Sequence, residues 1–135
     1  MIPLAVAPDA ERLTIDYLRP ALAARSVTAT VGVDIPTTWT TTSTQHVQVA
    51  LDGTPSLEYP ILARATVRLT AWAPSTTAAK ALVSLAQGLM CAHPGDASVA
   101  SVQALTGVLP TRDPDSGAQL ASVTVRLNLR MTVLA

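Results

Sequence analysis

The sequence is poor in charge, in aromatic rings and in reactive side chains. Its 135 residues include no Phe, one Cys and two His, and aromatic residues make up 3%. Charged residues make up 13%, against roughly 25% in a typical soluble domain. A surface this poor in charge presents large, weakly polar areas, which usually mark sites of association. The alternative is an ordinary monomer surface on which the abundant Thr and Ser take the place of charged residues.

These shortages argue against several classes of protein. Nine basic and nine acidic residues cancel, so no global field directs the chain to nucleic acid or to an anionic membrane. No apolar run approaches the roughly 20 residues of a membrane-spanning helix, and the N-terminus lacks the basic region of a signal peptide. A lone Cys91 cannot form an internal disulfide. We therefore expect folding in a reducing cytoplasm and no membrane association.

No set of residues predicts catalysis, because a nucleophile needs a base and an orienting group beside it. His46 begins a predicted strand, while Cys91 and His93 lie at a helix end, where their side chains point apart. Asp113 and Asp115 flank a proline in a turn, where Asp usually caps its own backbone. A divalent ion at this turn is the alternative, but the turn offers no further matched oxygen ligands. We expect a protein that is not an enzyme and that holds no metal and no cofactor.

Two segments have the apolar spacing of amphipathic helices. The first covers residues 9–25, with Asp9 as its N-cap and with Pro20 expected to kink or break it near Arg19. The second begins at Pro74 and Ser75 and ends at the His-Pro-Gly sequence of residues 93–95. Each helix has one apolar face that must pack against another element.

Strict alternation of apolar and polar residues predicts two long strands, over residues 61–72 and 123–133. Shorter strands are predicted over residues 27–31, 46–51 and 99–108, with turns at residues 52–53 and 113–117. The element order is α-β-β-β-α-β-β. It predicts a single α+β domain over residues 1–135, in which two helices pack on one face of a mainly antiparallel sheet of about five strands.

Arginines recur at strand spacing in both long strands. Arg64 and Arg68 share one strand face, and Arg126 and Arg130 share another. If the two strands pair, four guanidinium groups project from the side of the sheet that the helices do not cover. One interpretation is a solvated sheet face on which basic residues discourage aggregation. The sharper hypothesis is a surface that binds carboxylates of a partner subunit or phosphate.

The segment of residues 32–44 is long, rich in Thr and without a sustained period. Irregular segments of this length in small domains are usually functional or flexible. Trp39 stands alone in its middle, and an exposed Trp is a typical interface anchor. We expect this loop to contact a neighbouring subunit and to become ordered when it does so. The competing hypothesis is that Trp39 folds back onto its own core.

Three stretches resemble the tail terminator (tail completion) family of long-tailed bacteriophages: RLTIDYLRPALAARSV, VRLTAWAPSTTAAKALVSLAQGLM and LPTRDPDSGAQLASVTVRLNLR. The first is similar to the family's opening helix, and the second to a strand, a Trp-containing turn and the central helix. The third is similar to the proline-aspartate turn and final strand of actinobacterial phage members. Together the three stretches cover most of the chain.

The resemblance implies an α+β subunit that assembles as a homo-oligomeric ring, a hexamer, on the last ring of the tail-tube protein. The loop of residues 32–44 is then expected to contact a neighbouring subunit or the tail tube. Such a ring ends tail polymerisation and offers a docking surface to the head's connector or stopper proteins. DNA later passes through its lumen without sequence-specific binding. The expected location is the virion neck, after assembly in the host cytoplasm.

Two other functions fit parts of the sequence. A different neck protein, such as a head-completion or stopper subunit, shares the small size and the location of a tail terminator. A small soluble enzyme or ligand-binding domain is the alternative from another class. It would need an apolar pocket in which polar groups and titrating residues with shifted pKa values converge.

Overall fold

The computed structural model describes residues 2–35 and 39–134. Within these ranges the chain forms two helices and nine strands. In chain order the elements are β1 (Ala5–Val6), α1 (Ala10–Ala24), β2 (Ala29–Gly32), β3 (Gln45–Leu51), β4 (Ser56–Glu58), β5 (Leu62–Ala73), α2 (Thr76–Cys91), β6 (Val99–Ala104), β7 (Leu109–Arg112), β8 (Gln119–Arg130) and β9 (Thr132–Val133). Neither helix in this part of the chain is long and apolar enough to cross a membrane.

Both helices begin at the predicted caps. The carboxylate of Asp9 accepts a hydrogen bond from the amide of Arg12 at 3.1 Å, and the hydroxyl of Ser75 accepts one from the amide of Ala78 at 3.1 Å. Each cap satisfies an amide that has no partner inside its helix.

Helix α1 continues through Pro20 to Ala24, so the expected break near Arg19 is wrong. Two interactions hold the helix beyond the proline. Leu22 is fully buried, and the guanidinium of Arg19 donates from Nε and Nη2 to the carbonyl oxygen of Val31 at 3.1 and 2.8 Å. Tertiary packing of this kind outweighs the cost of about 3 kcal/mol that a proline imposes inside a helix.

The main sheet has seven strands in the order β2-β3-β5-β8-β6, with β4 beside β5 and β7 beside β8. Only β2 and β3 run parallel; every other pair is antiparallel. Strands β5 and β8 are paired over their whole length, from Leu62 opposite Arg130 to Ala73 opposite Gln119. The predicted α+β class is confirmed. The sheet is larger than predicted, because the short strands β4 and β7 join it.

The core lies between the two helices and one face of the sheet. The odd-numbered residues of β5 and β8 point to this face and, apart from the half-buried Gln119 at the start of β8, are buried, as the alternation predicts. They pack with the apolar stripes of the helices, in a cluster whose fully buried large side chains include Leu18, Leu22, Val67, Leu69, Val83, Met90, Val123, Val125, Leu127 and Leu129. The helices thus cover one face and leave the other uncovered.

The two ends of the described chain meet in a small sheet of their own. Strand β1 pairs with β9, with Ala5 opposite Val133. The hydroxyl of Tyr59 donates to the carbonyl oxygen of Pro3 at 2.8 Å and accepts from the amide of Ala5 at 2.9 Å. These contacts fix the β1–β9 sheet beside the turn that joins β4 to β5.

Candidate interaction surface

The sheet face opposite the helices, here called the open face, carries mostly neutral polar side chains. It is formed by the even-numbered residues of the central strands, which include Gln48, Arg64, Thr66, Arg68, Thr70, Ser122, Thr124, Arg126 and Asn128. Several of these side chains bond to each other across strands. The hydroxyls of Thr70 and Ser122 lie 3.1 Å apart, and the amide nitrogen of Asn128 donates to the hydroxyl of Ser101 at 2.8 Å.

The open face contains all four of the arginines singled out from the sequence. Arg64 lies opposite Asn128, Arg68 opposite Thr124, and Arg126 opposite Thr66. Directly opposed residues of an antiparallel pair point to the same face. The predicted pairing of the two long strands is therefore confirmed, and with it the common orientation of their arginines.

Acidic side chains of the same chain pair with two of these arginines. Arg64 lies 2.6 Å from the carboxylate of Glu58 in β4, and Arg68 lies 3.1 Å from the carboxylate of Asp52. Each pair is partly exposed to solvent, so it contributes at most about 1 kcal/mol to stability. These ion pairs reduce the positive charge that Arg64 and Arg68 present to another molecule.

Arg130 is hydrogen-bonded to the segment that precedes β6. Its Nε donates to the carbonyl oxygen of Asp96 at 3.2 Å, and its amide donates to the carbonyl oxygen of Ser98 at 2.8 Å. Hydrogen bonds from the amides of Val99 and Ser98 lower the pKa of Asp96, and the charge of Arg130 lowers it further. The carboxylate of Asp96 thus stays ionised and helps to hold this corner of the sheet.

Arg126 differs from the other three arginines. Among residues 2–35 and 39–134, its guanidinium has neither a carboxylate within 4.0 Å nor a hydrogen-bond partner, whereas Arg130 lacks the carboxylate but bonds to the carbonyl oxygen of Asp96. Its neighbours across the strands are Thr66 on β5 and Gln103 on β6, both neutral. Arg126 is therefore the arginine of the open face that is best placed to bind an anionic group of another molecule.

Trp39 is buried, with 5% of its surface exposed, so the expectation of an exposed interface anchor is wrong. The competing hypothesis, that Trp39 folds back onto its own chain, is confirmed. Its indole packs with Trp72 and Ala118 in a small cluster separate from the main core, and its Nε1 donates to the carbonyl oxygen of Thr44 at 3.1 Å.

A cleft of about 600 Å³ adjoins this cluster and is lined by Ile35, Trp39, Thr40, Trp72, Asp113, Asp115 and Ser116. It combines aromatic and acidic side chains, the mixture that a ligand-binding domain would need. However, the carboxylate of Asp113 caps the backbone of its own turn, as predicted. Hydrogen bonds from the hydroxyl and the amide of Ser116 lower the pKa of its carboxyl group. That pKa shift is accounted for by the turn and gives no sign of a ligand.

His46 lies beneath the segment that carries Trp39. It is 4% exposed, sits opposite Trp72 in the sheet, and its Nδ1 shares a hydrogen bond of 2.6 Å with the hydroxyl of Thr30. Its Nε2 has no partner among the described residues. Burial lowers the pKa of His46, so the ring is neutral in the folded protein at pH 7.

The second histidine is held in a structural arrangement. Nδ1 of His93 accepts from the amide of Gly95 at 2.9 Å, Nε2 lies 3.7 Å from Asp96, and the ring stacks on Tyr17 at a centroid distance of 4.3 Å. Cys91 is exposed. In the described part of the chain, no three His, Cys, Asp or Glu residues are grouped to bind a metal ion.

Sequence reasoning missed two further surfaces. The first, the terminal patch, consists of exposed apolar side chains around the β1–β9 sheet: Ile2, Leu4, Val6, Leu57, Tyr59, Ile61, Val133 and Leu134. The second, the β6–β7 edge, runs over residues 99–111 along the outer side of β8. A signal for the second was present, because residues 97–111 contain no charged side chain. A local pattern does not reveal the first, which joins three distant segments.

The fold and these surfaces define an α+β protein whose main sheet is covered by helices on one face only. No protein-family model matches the chain, and a search of curated proteins finds no significantly similar sequence.

Proposed function

We propose that this protein is a structural subunit of a phage neck, which forms a ring on the tail tube and ends its polymerisation. The ring then provides the docking surface for the head's connector or stopper proteins, and DNA passes through its lumen. The subunit has no catalytic role. It assembles in the host cytoplasm and stays in the virion.

The observation that carries the proposal is the uncovered face of a large sheet. Both helices pack on one side, so the seven-stranded sheet presents its other side to the surroundings, except around Trp72, which the buried Trp39 covers. Within the described ranges, two of that face's arginines are paired with acids of the same chain. A broad and nearly neutral face suits contact with other subunits better than capture of a charged small molecule.

The resemblance to tail terminators falls on whole structural units. The first stretch corresponds to α1 and the turn after it, and the second to the later half of β5 together with α2. The third corresponds to the hairpin of β7 and β8. These units supply most of the buried core. The resemblance therefore covers the parts of the chain that determine its fold.

The nearly neutral open face is compatible with two positions in a ring. It can contact a neighbouring subunit, or it can line the lumen. A strongly basic lumen would hold phosphates and slow the passage of DNA, whereas internal ion pairs reduce that attraction. We favour contact with acidic groups of a neighbouring subunit, with Arg126 as the contacting cation, over exposure to the lumen.

The test is a capping experiment with purified proteins. Tail-tube subunits are polymerised with and without this chain, and tube lengths and tube ends are measured by electron microscopy. Capping predicts shorter tubes with extra density at one end, at far less than one copy per tube subunit. Unchanged lengths and bare ends would refute the proposal. Binding to the head connector without binding to the tube would identify a different neck protein.

A further inference from the structure

The cleft beside the tryptophan cluster lies at one end of the open face. Its lining comes from the segment before β3 on one side, from the turn between β7 and β8 on the other, and from Trp72 of the sheet. Its volume of about 600 Å³ falls within the range of about 300–1,000 Å³ that is usual for ligand sites. A group bound there would contact segments that are far apart along the chain.

The cleft is acidic. Asp113 and Asp115 line it, and within the described ranges neither carboxylate has a cation within 4.0 Å. Arg112 precedes Asp113 in the chain, but it lies opposite Gln119, which accepts a hydrogen bond from the hydroxyl of Thr76 in α2. Directly opposed residues of an antiparallel pair point to the same face. Arg112 therefore points to the helix side of the sheet, away from the cleft.

The two carboxylates differ in the oxygens that they leave free. Oδ2 of Asp113 accepts from the amide and the hydroxyl of Ser116, at 2.9 and 2.5 Å. Among the hydrogen bonds of the described residues, none uses Oδ1 of Asp113 or the carboxylate of Asp115. Asp115 is also exposed. Asp115 is thus the main acceptor for a cation, and Asp113 can contribute its second oxygen.

A buried donor in the lining of the same cleft has no acceptor. Trp72 is 7% exposed, and its Nε1 has no hydrogen-bond partner among the described residues. Nε1 of Trp39, by contrast, donates to the carbonyl oxygen of Thr44. A buried donor without an acceptor costs free energy, and a bound molecule recovers that cost if it supplies an acceptor. The lining therefore offers acceptors to a cation and a donor to a carbonyl oxygen.

We propose that this cleft binds an arginine or lysine residue within a peptide segment of a partner protein. The guanidinium or ammonium group pairs with Asp115 and with the free oxygen of Asp113, in charge-assisted hydrogen bonds. A peptide carbonyl oxygen of the same segment accepts the hydrogen bond from Nε1 of Trp72. This binding site goes beyond the proposed function and does not depend on it, because it rests on the groups of the cleft alone.

The chemistry of the cleft favours a basic peptide over two other ligands. A free alkylamine or guanidine offers donors only, so it leaves the indole of Trp72 without an acceptor. A neutral sugar leaves both carboxylates without a counterion. The rings of Trp39 and Trp72 are also buried, so they present no open face on which a sugar could stack.

The experiment uses the indoles as reporters, because both tryptophans of the chain line this cleft. Three probes are titrated at constant ionic strength: an acetylated and amidated Ala-Arg-Ala peptide, the same peptide with citrulline in place of arginine, and agmatine. Citrulline matches arginine in size but is uncharged, and agmatine carries the cation without a carbonyl group. Binding is followed by the NMR shifts of the two indole N–H groups and by tryptophan fluorescence, up to about 50 mM probe.

Two variants complete the experiment. Asp115→Asn removes one negative charge from the cleft. Asp16→Asn is the matched control, because Asp16 is an exposed acid on α1 that does not line the cleft. Circular dichroism would verify that both variants fold.

We expect the arginine peptide to shift the Nε1–H signal of Trp72 with a dissociation constant on the order of 1 mM. The citrulline peptide and agmatine should bind at least about fivefold more weakly. Asp115→Asn should weaken binding of the arginine peptide by about fivefold, the effect of a partly exposed ion pair, and Asp16→Asn should leave it unchanged.

Four results would overturn the proposal: no indole shift with the arginine peptide, equal binding of the citrulline peptide, equal binding of agmatine, or unchanged binding by Asp115→Asn. Equal binding of agmatine would assign the cleft to a small organic cation instead. Each of these results leaves the capping function standing, because tube capping is measured separately.

Discussion

The indoles of Trp39 and Trp72 meet edge to face, with ring centroids 6.0 Å apart and planes inclined at 62°. Trp72 lies near the end of the longest strand pair, and Trp39 comes from the irregular segment between β2 and β3. Because residues 33–44 connect two strands that pair in parallel, this contact anchors the crossover on the open face. The aromatic pair thus holds Trp39 to the sheet.

Trp39→Ala should destabilise the isolated protein by about 3 kcal/mol, because it empties a buried aromatic site. The measurement is urea unfolding followed by circular dichroism. Thr42→Ala, an exposed position in the same segment, is the control and should change stability little. An unaltered unfolding midpoint for Trp39→Ala, with loss of tube capping alone, would restore the interface role that the structure argues against.

Stability should fall as the pH decreases below about 6.5, and His46 is the reason. The pKa of His46 is lowered from 6.5 by burial, so the unfolded chain binds a proton more readily than the folded chain. The contribution of the neutral ring is fully present above pH 6.5 and is lost as the pH falls toward the folded-state pKa. The pKa values of Asp96 and Asp113 are lowered from 3.8, so the stability that these carboxylates contribute is lost only at more acidic pH.

Urea unfolding between pH 5 and pH 8, for wild type and His46→Gln, measures this dependence. The variant should be less stable at pH 8 and show a flatter profile between pH 5 and pH 7. An equally steep profile in the variant would assign the effect to another group.

Pro20→Ala should stabilise the protein by about 1–3 kcal/mol. The substitution restores an amide that can bond to the carbonyl of Asp16 and removes the ring clash with that carbonyl. Pro20 is exposed, so no core packing is lost. Thermal melting is the measurement, and Pro55→Ala, in an exposed loop, is the control that should give no gain. A lower melting temperature for Pro20→Ala would mean that α1 depends on the shape that the proline imposes.

Reversal of the charge should change the free energy of unfolding less at Arg126 than at Arg68. Arg126→Glu should leave stability within about 0.5 kcal/mol of wild type, because no acid pairs with it in the described ranges. Arg68→Glu should cost up to about 1 kcal/mol, because it places a second carboxylate beside Asp52. Urea unfolding gives both values.

The double variant Arg68→Glu with Arg126→Glu then tests the role of the face in assembly. We expect it to fold and to cap tail tubes poorly. Normal capping by this variant would identify the open face as plain solvated sheet.

The sequence was sufficient for the parts of the fold that local patterns determine. The alternation along β5 and β8 predicts both strands and the face that each residue occupies, and Asp9 and Ser75 predict the starts of the helices. These features depend on nearest neighbours in the chain, so they are visible without the structure.

The features that the sequence did not predict depend on residues that lie far apart along the chain. Trp39 looked exposed because Trp72 and Ala118, which cover it, lie far along the chain. The arginine face looked unneutralised because Glu58 belongs to β4, a strand of three residues without a readable pattern. Strand β7 was missed because Pro110 argues against a strand, although a proline is tolerated at a sheet edge.

The pairing of β1 with β9 places Ala5 beside Val133, and Leu4 beside Leu134. A short peptide could therefore connect the two ends, with new termini opened at residues 105–108 between β6 and β7. This arrangement also affects experimental design, because an affinity tag fused to either end would begin beside Leu4 or Leu134. Such a tag would lie against the terminal patch, so self-association is best measured on protein from which tags have been cleaved.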